Sequence, residues 1–161
     1  MSRIKKTLVL GLGNPILTDD GIGVLVVEAL RSRLPPDTPV DLAEVSVGGL
    51  TLMENMIGYD RVILIDAYQP PNPRKPGAIH RLTLEELQSI SPTQHSASPH
   101  DANLITALET GRRMGLQLPV EITIFAIEVE NVIDFGDQPT ASVADAIPVV
   151  TEAVLAELGY R

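Results

Sequence analysis

One stretch near the start constrains this chain more than any other: a short apolar run that ends on glycine, turns through two adjacent acids and continues as an amphipathic segment. Leu8, Val9, Leu10 and Leu12 surround Gly11, and the run is too short for a helix but suits a strand buried on both faces. Gly13 and the Asn14-Pro15 step break it. Thr18 and Asp19 then offer side-chain oxygens to free N–H groups at a helix start. Val24, Val27, Leu30 and Leu34 recur at helical spacing. A buried strand thus delivers a loop carrying Asp19 and Asp20 to a helix, at the sheet edge where open α/β folds bind ligands.

The same alternation continues. Val40 to Val47 reads as a second strand, wet on one face and ended by Gly48-Gly49. Leu50, Met53, Met56 and Ile57 mark one side of a short helix stopped by Gly58. Arg61 to Ala67 holds four consecutive large aliphatics and ends with Asp66 at the carboxyl end of the strand. Tyr68 to Pro76 carries four prolines and is loop, and Ala78 to Leu82 is an edge strand. Leu84, Leu87 and Ile90 suggest a short helix, and Ile90 to Pro99, rich in serine, a surface loop. Ser98 caps the next helix, with Pro99 in its first position and Asp101 in its third. Leu104, Ile105 and Leu108 form its stripe, and Gly115 ends it. Val120 to Ile127 is the last strand, and 128–137 is irregular. A helix over Thr140 to Leu158 points Val143, Ile147, Val150, Val154 and Leu158 inward and is kinked at Pro148. Five strands alternating with helices predict one domain over residues 1–161: a three-layer αβα sandwich on a mostly parallel, mixed five-stranded sheet. Right-handed crossovers put Asn14, the Asp19-Asp20 pair and Asp66 on one rim.

Composition removes several classes of function. Among 161 residues, 44% are hydrophobic and 20% charged, as in soluble globular proteins. The net charge of −9 disfavours a nucleic-acid partner, and no apolar run is long enough to enter and cross a membrane. The basic first residues lack the pattern of a secretory signal, so a cytoplasmic protein is expected. With no cysteine, thiolate nucleophiles and thiolate metal sites are out of reach.

Chemistry therefore falls to carboxylates, hydroxyls and three histidines. Asp20, Asp66 and His100 each sit at a strand end or helix start, and two carboxylates with one imidazole suit a borderline divalent ion such as nickel, zinc or iron. Other readings stay open. Asp19 or Asp20 also fits a helix cap or a charge favoured by the helix dipole. His100, His95 and His80 each also fit a solvated surface position. The Gly11-Leu12-Gly13 pair lacks the third glycine of a dinucleotide fingerprint, because Ile16 stands there, so no nucleotide cofactor is expected. No nucleophile-elbow pattern occurs.

Gly11-Leu12-Gly13-Asn14 followed by Leu17-Thr18-Asp19-Asp20-Gly21-Ile22-Gly23-Val24 resembles the opening of the hydrogenase maturation proteases, the endopeptidases that trim the C-terminus of nickel–iron (NiFe) hydrogenase large subunits. The resemblance continues at Ile63 to Ala67, at Ser98-Pro99-His100-Asp101, and at Pro139-Thr140 and Ala146-Ile147-Pro148-Val149. It implies a phosphorylase/hydrolase-like fold and an aspartyl-type or metal-dependent peptidase. It also implies a hydrogenase large-subunit precursor as partner, and nickel supplied by that precursor as recognition element. The family's metal-binding and catalytic positions fall on Asp20, Asp66 and His100; the first is often Glu in relatives, and Asp shortens its reach by one methylene. At Val47-Gly48-Gly49-Leu50 the chain departs from the Asp and Thr that many members carry around the paired glycines, which implies a different hydrogenase subtype as client. Gly11-Leu12-Gly13-Asn14-Pro15 also opens the bacterial peptidyl-tRNA hydrolases, but their basic continuation is replaced here by two acids. The rival readings are a metal-dependent hydrolase of a small substrate and a non-catalytic hydrogenase assembly factor.

Overall fold

Three aliphatic runs and one amphipathic edge strand lie parallel side by side, and a fifth, amphipathic strand closes the other edge. The computed structural model of the chain describes residues 3–46, 49–70, 75–86 and 100–160, residues 100–103 through their backbone only. The strands are β1 (Thr7–Leu12), β2 (Val40–Val45), β3 (Arg61–Tyr68), β4 (Ile79–Thr83) and β5 (Glu121–Glu128). The helices are α1 (Ile22–Arg33), α2 (Gly49–Met56), α3 (His100–Arg113) and α4 (Ala141–Leu158), and a 3-10 turn, Thr18–Gly21, leads into α1. The sheet order is β2-β1-β3-β5-β4, with β4 antiparallel to β5 and every other pair parallel. The expected mixed five-stranded sheet is present. Its one antiparallel strand follows from the β3–β4 connection, which is too proline-rich and short for a helical crossover, so the chain re-enters from the rim it left.

Side-chain alternation along each strand separates two cores. Leu8, Leu10, Leu12, Val62, Leu64, Ile122 and Ile124 face α2 and α3, where Leu52, Met53, Met56, Leu104 and Leu108 meet them. Val9, Ile63, Ile65, Phe125 and Ile127 face α1 and α4, against Val26, Val27, Leu30, Val143, Val150 and Val154. The sheet is therefore the middle of three layers.

The differences from the sequence reading have local causes. In α2 the buried stripe is Leu52, Met53 and Met56, while Leu50 and Ile57 are exposed, because Leu50 lies in the first turn and Ile57 follows the last helical residue. In α4, Ala146 and Leu155 are fully buried, and Ile147 and Leu158 only partly. Strand β5 starts at Glu121, and Val120 before it is exposed. Strand β2 ends at Val45, with Ser46 already a bend, short of the expected Val47; Val47-Gly48, the Leu87 and Ile90 helix positions, the 90–99 loop and the Ser98-Pro99 cap lie outside the described residues.

At the amino end of the sheet, Glu157 of α4 accepts from Arg81 Nε at 3.1 Å on β4, and Arg61 Nη2 on β3 donates to the Glu157 carbonyl at 2.9 Å. The hydrogen bond from Arg81, then the nearby Arg81 and Arg61 charges, hold the Glu157 carboxyl below the usual range despite its partial burial. A lowered folded-state pKa adds stability above the unfolded value of about 4.5 and loses it as pH falls through the folded value. Glu157→Gln should cost about 1 kcal/mol at pH 7 in urea unfolding. The gap to the parent protein should close below pH 4.5, and a gap that stays constant from pH 7 to 3 would contradict this role.

Candidate active site at the switch point of the sheet

The connection from β1 through α1 leaves to one side of β1, and the connection from β2 through α2 returns to its other side. The two helices lie on opposite faces. Strand order thus reverses between β1 and β3, and a crevice opens at their carboxyl ends, the usual ligand position in such sheets. The rim predicted to carry Asn14, Asp19, Asp20 and Asp66 is this one.

Asp66 stands one residue beyond the last β1–β3 pair, Gly11 with Ile65. It is 3% exposed, and one of its oxygens accepts from the Ala67 N–H at 2.8 Å. Strand parity places it with Val62 and Leu64, on the face covered by α2 and α3. A carboxylate buried at this depth after four aliphatics needs polar partners, and such carboxylates cluster at functional sites.

The acidic turn is held by close backbone approach and by strain. Gly13 has φ +149°, and a Cβ there would lie 1.9 Å from the Asp20 carbonyl oxygen. Gly23 lets the first turn of α1 touch the ends of β1 and β3, since a Cβ would meet the Ile65 and Leu12 oxygens at 2.4 and 2.6 Å. Thr18, a β-branched residue, is held at φ +39° directly before the two acids. Its N–H donates to Gly136 O at 3.0 Å and its hydroxyl to Asp134 O at 2.6 Å.

The two acids differ sharply. Asp20 is half-buried, and one oxygen accepts from the Asn14 N–H at 2.9 Å. Asp19 is completely buried and reaches across the fold. It accepts from the N–H groups of Glu130, Asn131 and Thr140 at 3.0, 3.0 and 2.7 Å, and from the Thr140 hydroxyl. The expected capping by Thr18 and Asp19 is absent: neither the 3-10 turn nor α1 receives a side-chain cap, because both side chains are engaged by the 130–140 segment. Thr140 likewise leaves α4 uncapped and gives its hydroxyl to Asp19.

Helix α3 leads into parallel β5, so its first turn lies at the same carboxyl rim. It opens on His100, one helical turn before Leu104, whose side chain is buried in the same cluster as Leu10 and Leu64. The His100 side chain lies outside the described residues. Among the described residues, no three His, Cys, Asp or Glu side chains form a metal-holding group. The structure thus brings the Asp20 and Asp66 positions and the start of α3 to one rim.

Sequence reasoning passed over a second polar group there. Glu128, 7% exposed, ends β5 and accepts from the Lys75 N–H at 2.7 Å, and His80 Nε2 lies 2.8 Å from its other oxygen. The Tyr68 ring meets the His80 ring edge-on at 5.6 Å, and burial followed by the Glu128 charge pushes the Tyr68 phenol up. His80 is therefore partly solvated, as expected, but also engaged by a buried carboxylate. The available signal was its spacing from Leu82, which puts both on one face of β4.

Fold and rim define an α/β protein with an acidic site at its topological switch point. The chain belongs to the hydrogenase maturation protease family: the HycI model, described as hydrogenase maturation protease, matches residues 24–157. It is 32% identical over 154 residues to the hydrogenase 2 maturation protease of Escherichia coli K12, covering 95% of this chain and 90% of that one. The solved hydrogenase-maturating endopeptidase HybD from E. coli superposes with a TM-score of 0.80 at 32% identity, over 95% and 91% of the two chains. HybD from Thermococcus kodakarensis, 22% identical, shares the fold with a TM-score of 0.72 over 97% and 99%.

The Asp19 clamp makes a local forecast. Asp19→Ala strips a buried acceptor from three N–H groups and should cost about 3 kcal/mol in denaturant unfolding. The Glu130, Asn131 and Thr140 amides should exchange with deuterium first, and unchanged protection at those three would refute the clamp.

Proposed function

We propose that this protein is the endopeptidase that removes the C-terminal extension of a nickel-loaded nickel–iron hydrogenase large-subunit precursor, in the cytoplasm, with nickel as the recognition element. One observation carries the reading beyond family membership: the buried Asp66 carboxylate stands at the switch point, on the face covered by the helix that begins with His100. In this reading Asp20, Asp66 and His100 are the metal-binding and catalytic groups. They bind nickel already held by the precursor and need no nucleotide. Two carboxylates in one crevice repel, and a divalent cation offsets that repulsion. A precursor without nickel lacks this contact and is not cut, so metal insertion precedes trimming.

A protein substrate suits the rim better than a small one. Ile16, Ile133 and Phe135 are 56, 81 and 82% exposed. They lie on the two segments joined by the Leu17–Gly136 bridge, beside the acidic turn. The Gly136 N–H donates to Ile16 O at 2.9 Å, and Asp19 ties the later segment down, so these apolar side chains are presented on a fixed frame. Exposed apolar groups rimming a polar crevice favour protein docking over capture of a small polar molecule.

The test is the intact mass of a large subunit co-expressed with this protein in nickel-replete cells. The parent protein should shorten the subunit by its C-terminal extension, and nickel depletion should stop the cut. Asp66→Asn should leave the mass at the precursor value while circular dichroism stays native. Normal trimming by Asp66→Asn would sink the assignment, and an unchanged mass with the parent protein would favour an assembly factor.

A further inference from the structure

We infer that His80, held by the buried Glu128 carboxylate, is the proton-transfer group of this site; the inference rests on the endopeptidase reading and deepens it. The crevice described so far offers ligands for a cation but no separate base to activate water. The sheet register supplies one. Asp66 on β3 pairs with Ala126 on β5, and Ala126 pairs with His80 on β4. Residues paired across strands share a face, so Asp66, Ala126 and His80 form one row directed toward the α2 and α3 layer. Two strand spacings separate Asp66 from His80, on the order of 10 Å between backbones. Between them on the same face stands the small side chain of Ala126.

The next row explains why the imidazole is fixed. Tyr68 pairs with Glu128, whose own N–H donates to Ala78 O at 2.9 Å. One Glu128 oxygen is taken by the Lys75 N–H, and the other faces His80 Nε2. A carboxylate only accepts, so Nε2 carries a proton, and in the neutral ring Nδ1 carries the lone pair. Tyr68 packs on the ring edge. The titratable groups that face the imidazole from β5 and β3 are Glu128 and Tyr68, with Asp66 across Ala126. The His80 side chain is 41% exposed and that of Glu128 9%, so the base is open to a substrate while its orienting partner is dry. A base fixed by a third group is the arrangement hydrolytic sites require.

The step balances. His80 Nδ1 takes a proton from water as the water oxygen bonds to the scissile carbonyl carbon. The carbon–nitrogen bond then breaks, and the same proton passes from the imidazolium to the departing amine nitrogen. Glu128 acts as a positioning residue through His80.

The test follows trimming of nickel-loaded precursor by mass spectrometry across pH, for the parent protein, His80→Gln, His80→Ala and Glu128→Gln. His80→Gln should lower kcat about a hundredfold, leave KM and Tm unchanged, and abolish the acidic limb of the kcat profile. Added imidazole should restore part of the His80→Ala rate, and Glu128→Gln should show an intermediate loss with the limb displaced. Parent-like trimming by His80→Gln overturns the inference and leaves the endopeptidase reading standing. Loss of rate together with Tm and KM, without imidazole rescue, assigns His80 a structural role and also overturns it. A parent protein that leaves the precursor uncut removes the endopeptidase reading, and this inference with it.

Discussion

The buried carboxylate of Asp19 is the interaction on which the rest of the rim depends. It is fully excluded from water, and the N–H groups of Glu130, Asn131 and Thr140 with the Thr140 hydroxyl surround it. Those donors come from the far end of the chain, so one side chain joins the loop after β1 to the segment between β5 and α4. Removing any donor would leave a buried acceptor short of partners, a loss larger than the net gain of one hydrogen bond. The clamp holds Thr18 in its strained backbone state and so fixes the direction in which Asp20, its second neighbour, leaves the chain.

The other half of the site is supplied by sheet topology. Helices α1 and α2 pack on opposite faces, so the chain must reverse direction across β1, and the reversal opens the crevice that Asp66 enters. Gly23 lets α1 press against the carboxyl ends of β1 and β3. The acidic turn is therefore tied to the same backbone that carries Asp66, and the two acids belong to one rigid frame. The proposed recognition of a partner-held cation would use such a frame, since the site would not have to collapse around the ion.

Much of this was legible in the sequence. Runs such as Val62 to Ile65 announce buried parallel strands, and the glycine-broken opening marks a strand end beside a helix start. The edge strand was placed within a residue, and its antiparallel direction came only with the structure. What periodicity could not reveal were contacts between distant segments. Asp19 read as a cap because its helix is local, whereas Thr140 lies 121 residues away. Glu128 read as the start of an irregular segment, and its pairing with His80 depends on β5 inserting between β3 and β4. The stripe of α2 was misread because Leu50 and Ile57 satisfy helical spacing yet fall where the sheet no longer covers them.

The central claim is that an acid from the turn before α1, an acid near the carboxyl end of β3 and an imidazole at the start of α3 meet on one cation. Anomalous diffraction at the nickel edge, from crystals grown with excess nickel, tests it directly. One peak per chain is predicted, with Asp20, Asp66 and His100 as its protein ligands at about 2 Å. Nickel bound elsewhere while these three groups point apart would contradict the account.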